Sequence, residues 1–275
     1  GAVNFYSLKI SSHFRSVVFG QVNAASIANV QDVSNGANVS AMVNTTADPS
    51  LLTSVGGTLT SSSLSTSGIG RLLRTHKPGG GRKVGAIGLG CGTLATWGNP
   101  GDTFRFYEIN DDVARLATST FTYLKDSKAK TELVMGDARL SMEREPDQQY
   151  DVIVLDAFSS DAIPVHLLTR EAFATYLKHL KPDGVIAIHI SNRYLDLQPI
   201  VERLATEFGL ASACISDEPV DDWWLYSTTW MLVTRNRALL AEADIVAGTE
   251  APAKTHRAAN TLWTDENASL YPIMK

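Results

Sequence analysis

The chain has 275 residues and a formal net charge of −5, with 44% hydrophobic and 19% charged residues. This balance is typical of an ordinary globular protein, and without a run of Lys and Arg it argues against nucleic acid as the main partner. No apolar run reaches the length of about 18 residues that a membrane span requires, so none is predicted. Cys91 and Cys214 fit no metal-ligand or disulfide spacing, so no metal is expected and a reducing compartment is the simplest interpretation.

The first part of the chain differs in composition from the rest. Residues 1–70 are rich in Ser, Thr, Asn and Val, with short alternating runs broken by Gly, Asn and Pro. This pattern predicts a small β-rich N-terminal region over residues 1–70, ahead of a larger domain over residues 71–275. Near the boundary, "IGRLLRTHK" has helical spacing, which favours an ordered loop that enters a helix.

From Lys83 onward, apolar runs alternate with amphipathic segments, which indicates βαβ units around a parallel sheet. Strands are predicted at "KVGAIGLG", "TFRFYEI", "TELVMGDA", "YDVIVLDAF" and "VIAIHIS". Helices are predicted at "DDVARLATSTFTYL", "ARLSMERE", "PVHLLTREAFATYLKHL" and "DLQPIVERLATEFG". After "ASACISD", the stretch "YSTTWMLVTRN" is predicted to be one more strand, antiparallel and at the end of the sheet.

Three alternating glycines, Gly88, Gly90 and Gly92, follow the first predicted strand. A glycine lets a ligand approach the backbone amides at the start of the next element. Tight turns also use glycine, so this signal is weak by itself. Thr93 stands where the third glycine of a dinucleotide loop would be, which disfavours NAD.

Acids end the next three predicted strands, at the sheet edge where open parallel sheets bind ligands. Glu108 can accept both hydroxyls of a ribose. Asp137 can hold an adenine amino group or cap the next helix. Asp156 is carried by an apolar strand to the edge, and Asp161 follows in a polar loop, where it either helps to hold a cationic substrate or only caps a helix. One of these two acids would be available as a base.

Other polar and aromatic residues allow two interpretations each. His189, on the fifth predicted strand, is interpreted as a core histidine more readily than as a catalyst. Asn192, Arg193 and Tyr194 follow it and can line a pocket. The adjacent tryptophans at positions 223 and 224 either cover that pocket or belong to the core.

Taken together, the glycine loop, "YEIN", "GDAR" and "DVIVLDAFSSDAIP" resemble the class I S-adenosylmethionine-binding fold and, within it, the spermidine synthase (polyamine aminopropyltransferase) family. The segments "HLLTREAFATYLKHLKPDGVIAIHISNRYLDL" and "LWTDENASLYPIMK" resemble the branch often fused to membrane-transporter-like segments. The implied fold is α/β: a Rossmann-like methyltransferase fold with a mostly parallel seven-stranded sheet.

The resemblance also implies roles for single residues. It makes Asp156 the catalytic base and places Asp161 at the amine; Tyr194, just beyond the fifth strand, is a further candidate for the amine side. The implied nucleotide-binding residues are Gly88, Gly90, Gly92, Glu108, Ile109, Asp137, Ala138 and, in the N-terminal region, Gln31. The co-substrate would be S-adenosylmethionine or its decarboxylated form, and the acceptor a polyamine. A cytoplasmic homodimer without a metal is expected, and the parent protein could carry a membrane-fused region.

Two other functions stay open at this point. A methyltransferase of the same fold would use Asp156 to orient or deprotonate a different nucleophile. A nucleotide-binding or sensory domain without turnover is the third possibility. It is motivated by "TLTSSSLSTSG", which has no aromatic residue, in a region where the family places Gln, Tyr and His residues around its ligands.

Overall fold

A computed structural model of the chain describes residues 66–157, 163–192, 194–217, 228–250 and 261–275. Most of the predicted N-terminal β-rich region, with Gln31, lies outside the described residues. So do Asp161, Arg193 and the tryptophans at positions 223 and 224. The predicted domain boundary at residue 70 therefore stays a prediction.

The described residues form a mixed sheet of seven strands. In chain order these are β1 (Lys83–Ile87), β2 (Thr103–Glu108), β3 (Lys130–Met135), β4 (Tyr150–Leu155), β5 (Leu180–His189), β6 (Ala211–Asp217) and β7 (Thr228–Thr234). Their spatial order is β3-β2-β1-β4-β5-β7-β6. The first five strands pair in parallel, while β7 runs antiparallel between β5 and β6. The expected Rossmann-like class I methyltransferase fold is confirmed by this order.

Helices lie between most of the parallel strands, as the alternating pattern predicts, and others precede β1 or follow β7. They are α1 (Gly68–Thr75), α2 (Asp111–Ser119), α3 (Tyr123–Asp126), α4 (Ala138–Arg144), α5 (Arg170–His179), α6 (Gln198–Glu207), α7 (Arg237–Leu240) and α8 (Ala243–Val246). Short 3₁₀ turns occupy Thr93–Trp97, Val165–Leu167 and Tyr271–Ile273. Among the described residues, none of the helices combines the length and apolar character needed to cross a membrane.

Two local predictions differ from the structure. The helix predicted from Asp111 is divided into α2 and α3, because the intervening run of Thr, Ser and Phe forms helix poorly. The hydroxyls of Thr118 and Ser119 bond back to backbone carbonyls of α2 near this end. In addition, "ASACISD" is itself a strand, β6, which pairs along its whole length with β7. The prediction that "YSTTWMLVTRN" lies at the end of the sheet is therefore wrong, because β6 occupies that end and β7 lies inside it.

The core consists of two hydrophobic clusters, one on each face of the sheet. Side chains alternate between the faces along a strand: on β2, Phe106 belongs to one cluster and Tyr107 to the other, and on β4 Val154 and Ile153 divide in the same way. Because β4 is buried along its whole length, the residue that follows it is delivered to a fixed place at the sheet edge.

Candidate active site

The carboxyl ends of the parallel strands are tied together by backbone hydrogen bonds. The amide of Asp156 donates to the carbonyl of Ile87 at 2.9 Å, and the amide of Gly136 donates to the carbonyl of Glu108 at 2.8 Å. These bonds hold the segments after β1 to β4 at one edge of the sheet. The acids that the sequence singled out, within the described residues, therefore share this edge.

Two of the three glycines are required by the protein's own packing. Gly88 has φ of +100°, and a Cβ atom there would lie 2.5 Å from the carbonyl oxygen of Asp156. Gly92 has φ of +84°, and its Cβ atom would lie 2.9 Å from Cγ of Leu124. Gly90 also has a left-handed backbone, with φ of +56°. Ligand contacts by these glycines stay a prediction, whereas the close approach of Gly88 to Asp156 is part of the fold.

Glu108, at the end of β2, is held by backbone amides. Its Oε2 accepts a hydrogen bond from the amide of Leu89 at 3.1 Å, and its Oε1 accepts one from Asn110 at 2.8 Å. Burial raises the pKa of this carboxyl, and the backbone hydrogen bonds oppose that rise. A carboxylate has about four acceptor positions, so Glu108 keeps the capacity to accept hydroxyl donors. The next residue, Ile109, is 70% exposed and offers an apolar surface beside it.

Asp137 caps helix α4, which is one of the two roles considered for it. Its Oδ1 accepts a hydrogen bond from the amide of Leu140 at 2.8 Å. Its Oδ2 lies 3.0 Å from Nε2 of His166. Ala138, the first residue of α4, is buried. Sequence reasoning did not select His166, because its contact joins segments 29 positions apart. The proposed contact of Asp137 with adenine stays a prediction.

Asp156 lies beside His189 because of the register between β4 and β5. Leu155 pairs with Ile188, so the residue after each of them reaches the same level of the edge. Oδ1 of Asp156 is 2.8 Å from Nδ1 of His189. The Asp156 side chain is 32% exposed and the histidine ring is fully buried. The interpretation of His189 as a buried residue is therefore confirmed, but its contact with Asp156 was not foreseen.

The segment after β5 is held against the end of the chain. Tyr194 is 61% exposed, and its amide donates to Oδ1 of Asn192 at 2.9 Å. Lys275 binds both residues, since its amide donates to the carbonyl of Tyr194 at 2.9 Å and its Nζ to the carbonyl of Asn192 at 2.8 Å. Tyr194 is thus accessible beyond β5. Its role at an amine substrate stays a prediction.

The strand order and the antiparallel β7 define a domain of the Rossmann-like class I methyltransferase fold. Within this fold, comparison with known proteins shows sequence similarity to one family. The chain is 34% identical over 120 residues to a polyamine aminopropyltransferase of Vibrio vulnificus, covering 42% of this chain and 38% of that protein. It is 28% identical over 135 residues to a polyamine aminopropyltransferase of Xanthomonas campestris pv. campestris, covering 47% of each. The resemblance to this family is confirmed over that part of the chain.

The chain thus spans less than half of the length of these curated relatives. No family model matches it. A probable spermidine synthase from Corynebacterium glutamicum has a TM-score of 0.49 at 21% identity, covering 61% of this chain and 60% of that one. A spermidine synthase from Thermotoga maritima has a TM-score of 0.45 at 15% identity, covering 71% and 65%. Both scores are below 0.5, so the fold assignment rests on the strand order. The resemblance to a transporter-fused branch stays a prediction.

Proposed function

We propose that the chain is an aminopropyltransferase that moves the aminopropyl group of decarboxylated S-adenosylmethionine to a polyamine and releases methylthioadenosine. The observation that carries this proposal is Asp156, a partly exposed carboxylate fixed at the end of a buried strand and next to the glycine loop. The similarity to polyamine aminopropyltransferases supports the same reaction.

A base has a definite task in this reaction. An alkylammonium group with a pKa of about 10 is almost fully protonated near neutral pH, and only its neutral form is a nucleophile. The Asp156 carboxylate would accept that proton. The nitrogen lone pair then forms the bond to the aminopropyl carbon, the carbon–sulfur bond breaks, and its electron pair stays on sulfur as a neutral thioether. Alignment of the reacting atoms would supply much of the remaining rate.

The proposed nucleotide site uses the other residues of this edge. Glu108 would accept the ribose hydroxyls, Ile109 would cover the base, and Asp137 with Ala138 would meet adenine. Three carboxylates along one edge favour a ligand of positive charge. The decarboxylated donor carries two positive charges, on sulfonium and ammonium, whereas S-adenosylmethionine also carries a carboxylate. Charge therefore favours the decarboxylated donor.

Product analysis with the two donors tests this proposal. The protein is incubated with a diamine or a longer polyamine and with either donor, and the products are separated. We expect methylthioadenosine from the decarboxylated donor only. Release of S-adenosylhomocysteine from S-adenosylmethionine would instead establish a methyltransferase. If neither product forms although methylthioadenosine stabilises the protein by about 2.7 kcal/mol at 100 times its Kd, the chain is a binding domain without turnover.

Assembly and location are further parts of the proposal. A homodimer in the cytoplasm is what the resemblance implies. Sedimentation equilibrium of the purified chain would measure its state of assembly, and a single species of 29.7 kDa would contradict the homodimer.

A further inference from the structure

A chain of hydrogen bonds runs inward from Asp156. Nδ1 of His189 is 2.8 Å from Oδ1 of Asp156, and Nε2 of the same ring is 2.8 Å from Oγ of Ser191. The backbone amide of Thr229, on β7, reaches the same Oγ atom at 2.8 Å. This series of hydrogen bonds therefore connects the candidate base to the backbone of the antiparallel strand through two buried side chains.

The carboxylate at the outer end sets the direction of the hydrogen bonds, because an ionised carboxylate can only accept them. The amide of Thr229 can only donate, so Oγ of Ser191 accepts from it. This bond uses one lone pair of Oγ and leaves the hydroxyl hydrogen of Ser191 available to donate to Nε2 of His189. A neutral imidazole that accepts at Nε2 carries its hydrogen on Nδ1 and donates it to Asp156. In this arrangement each donor in the series of hydrogen bonds faces an acceptor.

The histidine ring is held in place on its other sides as well. It is fully buried and stacks on Trp230, with ring centroids 4.6 Å apart and an angle of 8° between the planes. Asp156, after β4, and Asp217, at the end of β6, are among the acidic groups that act on it. Asp217 accepts hydrogen bonds from the amide and hydroxyl of Thr228, and burial raises its pKa. Rotation of the ring is therefore restricted, and its Nδ1 atom stays directed at Asp156.

The connectivity of carboxylate, histidine and serine is that of a serine hydrolase, but the accessibility is reversed. Ser191 is 9% exposed and its oxygen is bound to the amide of Thr229, whereas the Asp156 side chain is 32% exposed. In a hydrolase the hydroxyl meets the substrate and the carboxylate lies behind the histidine. Here the carboxylate is the end that a substrate can reach.

We propose that His189 is a positioning residue for Asp156. Its Nδ1 hydrogen holds Oδ1, which leaves Oδ2 to accept the proton of the amine, and it stabilises the ionised carboxylate until that transfer. Ser191 supports this role by donating to Nε2, which favours the tautomer with its hydrogen on Nδ1. The proposal rests on the proposed aminopropyl transfer, in which the ammonium proton moves to Oδ2 as the new nitrogen–carbon bond forms and the carbon–sulfur bond breaks.

Three variants test the proposal by kinetics. His189→Leu removes the donor, and we expect kcat to fall about tenfold or more, with KM for the amine and Kd for methylthioadenosine changed less than about threefold. His189→Asn places an amide NH₂ near the position of Nδ1 and should recover most of the loss. Ser191→Ala frees the tautomer and should lie between the two. Because a hydrogen bond to the charged form favours it, the acidic limb of the kcat profile should move to higher pH in His189→Leu.

A second buried histidine provides the control. His179, at the end of α5, is fully buried, and its Nε2 is 2.8 Å from the carbonyl of Met142. Because it lies at the opposite edge of the sheet, His179→Asn should lower the melting temperature without moving the pH profile. If His189→Leu likewise lowers only the melting temperature and keeps kcat and the profile, His189 is merely structural and the proposal is wrong.

A measurement without turnover separates this proposal from the proposed function. The ¹³C shift of the Asp156 carboxyl, followed against pH, reports its ionisation, and the ¹⁵N shifts of His189 report the tautomer. We expect hydrogen on Nδ1 in the wild type and a higher titration midpoint of Asp156 in both His189→Leu and Ser191→Ala than in His179→Asn. An unchanged midpoint would overturn the positioning role. Failure of the wild type to release methylthioadenosine, with a shifted midpoint, would overturn only the aminopropyl transfer.

Discussion

Strand β4 has an aspartate near its start, Asp151, and another directly after its end, Asp156, at the candidate site. Asp151 is 3% exposed, accepts a hydrogen bond from the amide of Lys83 at 2.8 Å and binds Nζ of Lys181 at 2.7 Å. Asp156 has a side chain that is 32% exposed and binds His189 through one oxygen. The first acid is occupied by the fold, and the second is held in place while part of it stays accessible.

The same difference separates a second pair of acids. Asp102, at the edge where the strands begin, accepts the amide of Arg82 at 2.7 Å and lies 3.4 Å from its guanidinium. Burial lowers the pKa of Arg82, and Asp102 opposes this effect. Glu108, at the edge where the strands end, is held by backbone amides instead. The Arg82 guanidinium neutralises Asp102, and this pair stabilises the fold. The backbone amides that hold Glu108 carry no charge, so the negative charge of Glu108 stays available to a ligand.

The largest expected effect distinguishes the two aspartates of β4. In Asp156→Asn the proposed base is lost, and kcat for methylthioadenosine release should fall about 10²- to 10⁴-fold with the Kd for methylthioadenosine nearly unchanged. In Asp151→Asn the urea midpoint should fall, while kcat per folded molecule stays within about twofold. Equal losses of kcat in the two variants would show that the two ends do not differ in this way.

Removal of Asp102 should produce the largest loss of stability. Arg82 is 4% exposed, so Asp102→Ala leaves a buried cation without its acid and should lower the free energy of unfolding by about 3–5 kcal/mol. Denaturation in urea measures this change. Affinity of the folded fraction for methylthioadenosine should not change. A change in that affinity would mean that the two edges are coupled.

Glu108→Gln should weaken nucleotide binding about 10- to 100-fold, since hydrogen bonds to a charged group contribute about 1.5–3 kcal/mol. In the proposed site, the ionised carboxylate would accept both ribose hydroxyls. Because burial raises the pKa of Glu108, the affinity of the wild type should decrease as the pH is lowered, with a midpoint above 4.5. The affinity of the variant should not show this decrease. Calorimetric titration of methylthioadenosine at several pH values measures both. Glu207→Gln, which alters a surface pair on α6, is the control and should leave affinity unchanged.

The same raised pKa has an opposite consequence for the unliganded protein. A carboxyl whose pKa is higher in the folded state binds its proton more tightly there. Its contribution to stability is therefore present below the pKa of the unfolded chain and is lost as pH rises through that of the folded protein. Glu108→Gln should remove this pH dependence from the melting temperature, and persistence of the full dependence would assign it to another group.

The smallest effect concerns two glycines that share a left-handed backbone. Gly88 has φ of +100° and approaches the carbonyl of Asp156, while Gly80 has φ of +94° with nothing near its missing Cβ atom. Gly80→Ala should cost only the backbone strain. Gly88→Ala should cost about 1–3 kcal/mol more, because a backbone carbonyl must move. Gly88→Ala should also reduce kcat by displacing Asp156, and equal melting temperatures of the two variants would disprove the close approach.

Much of the fold could be predicted from the chain alone. The apolar runs predicted β1 to β5 and β7, because buried strands have a strong pattern. Strand β6 was missed, since "ASACISD" is polar in part and its strand conformation depends on pairing with β7. The division between α2 and α3 was missed as well, because the apolar spacing continues through a run of residues with weak helix propensity.

The candidate site likewise has a part that the sequence predicts and a part that it does not. Glu108, Asp137 and Asp156 were selected because each follows an apolar strand. Their partners were not, because the contact of Asp156 with His189 joins residues 33 positions apart. His189 stood on a strand of strongly apolar pattern, which favours a core role. Its place beside Asp156 depends on the register between β4 and β5, and the sequence of neither strand predicts that register.

The sequence by itself determined which residue types end each strand, since apolar periodicity and the punctuating Gly and Asp residues are local properties. Only the tertiary structure decided which of these ends are neighbours and what holds each acid. Sheet order and register place Asp156 against His189 and Ser191, and Asp151 against Lys181. The physical reason is that hydrogen bonding and burial, which set how accessible a carboxylate is, arise from residues distant in the chain.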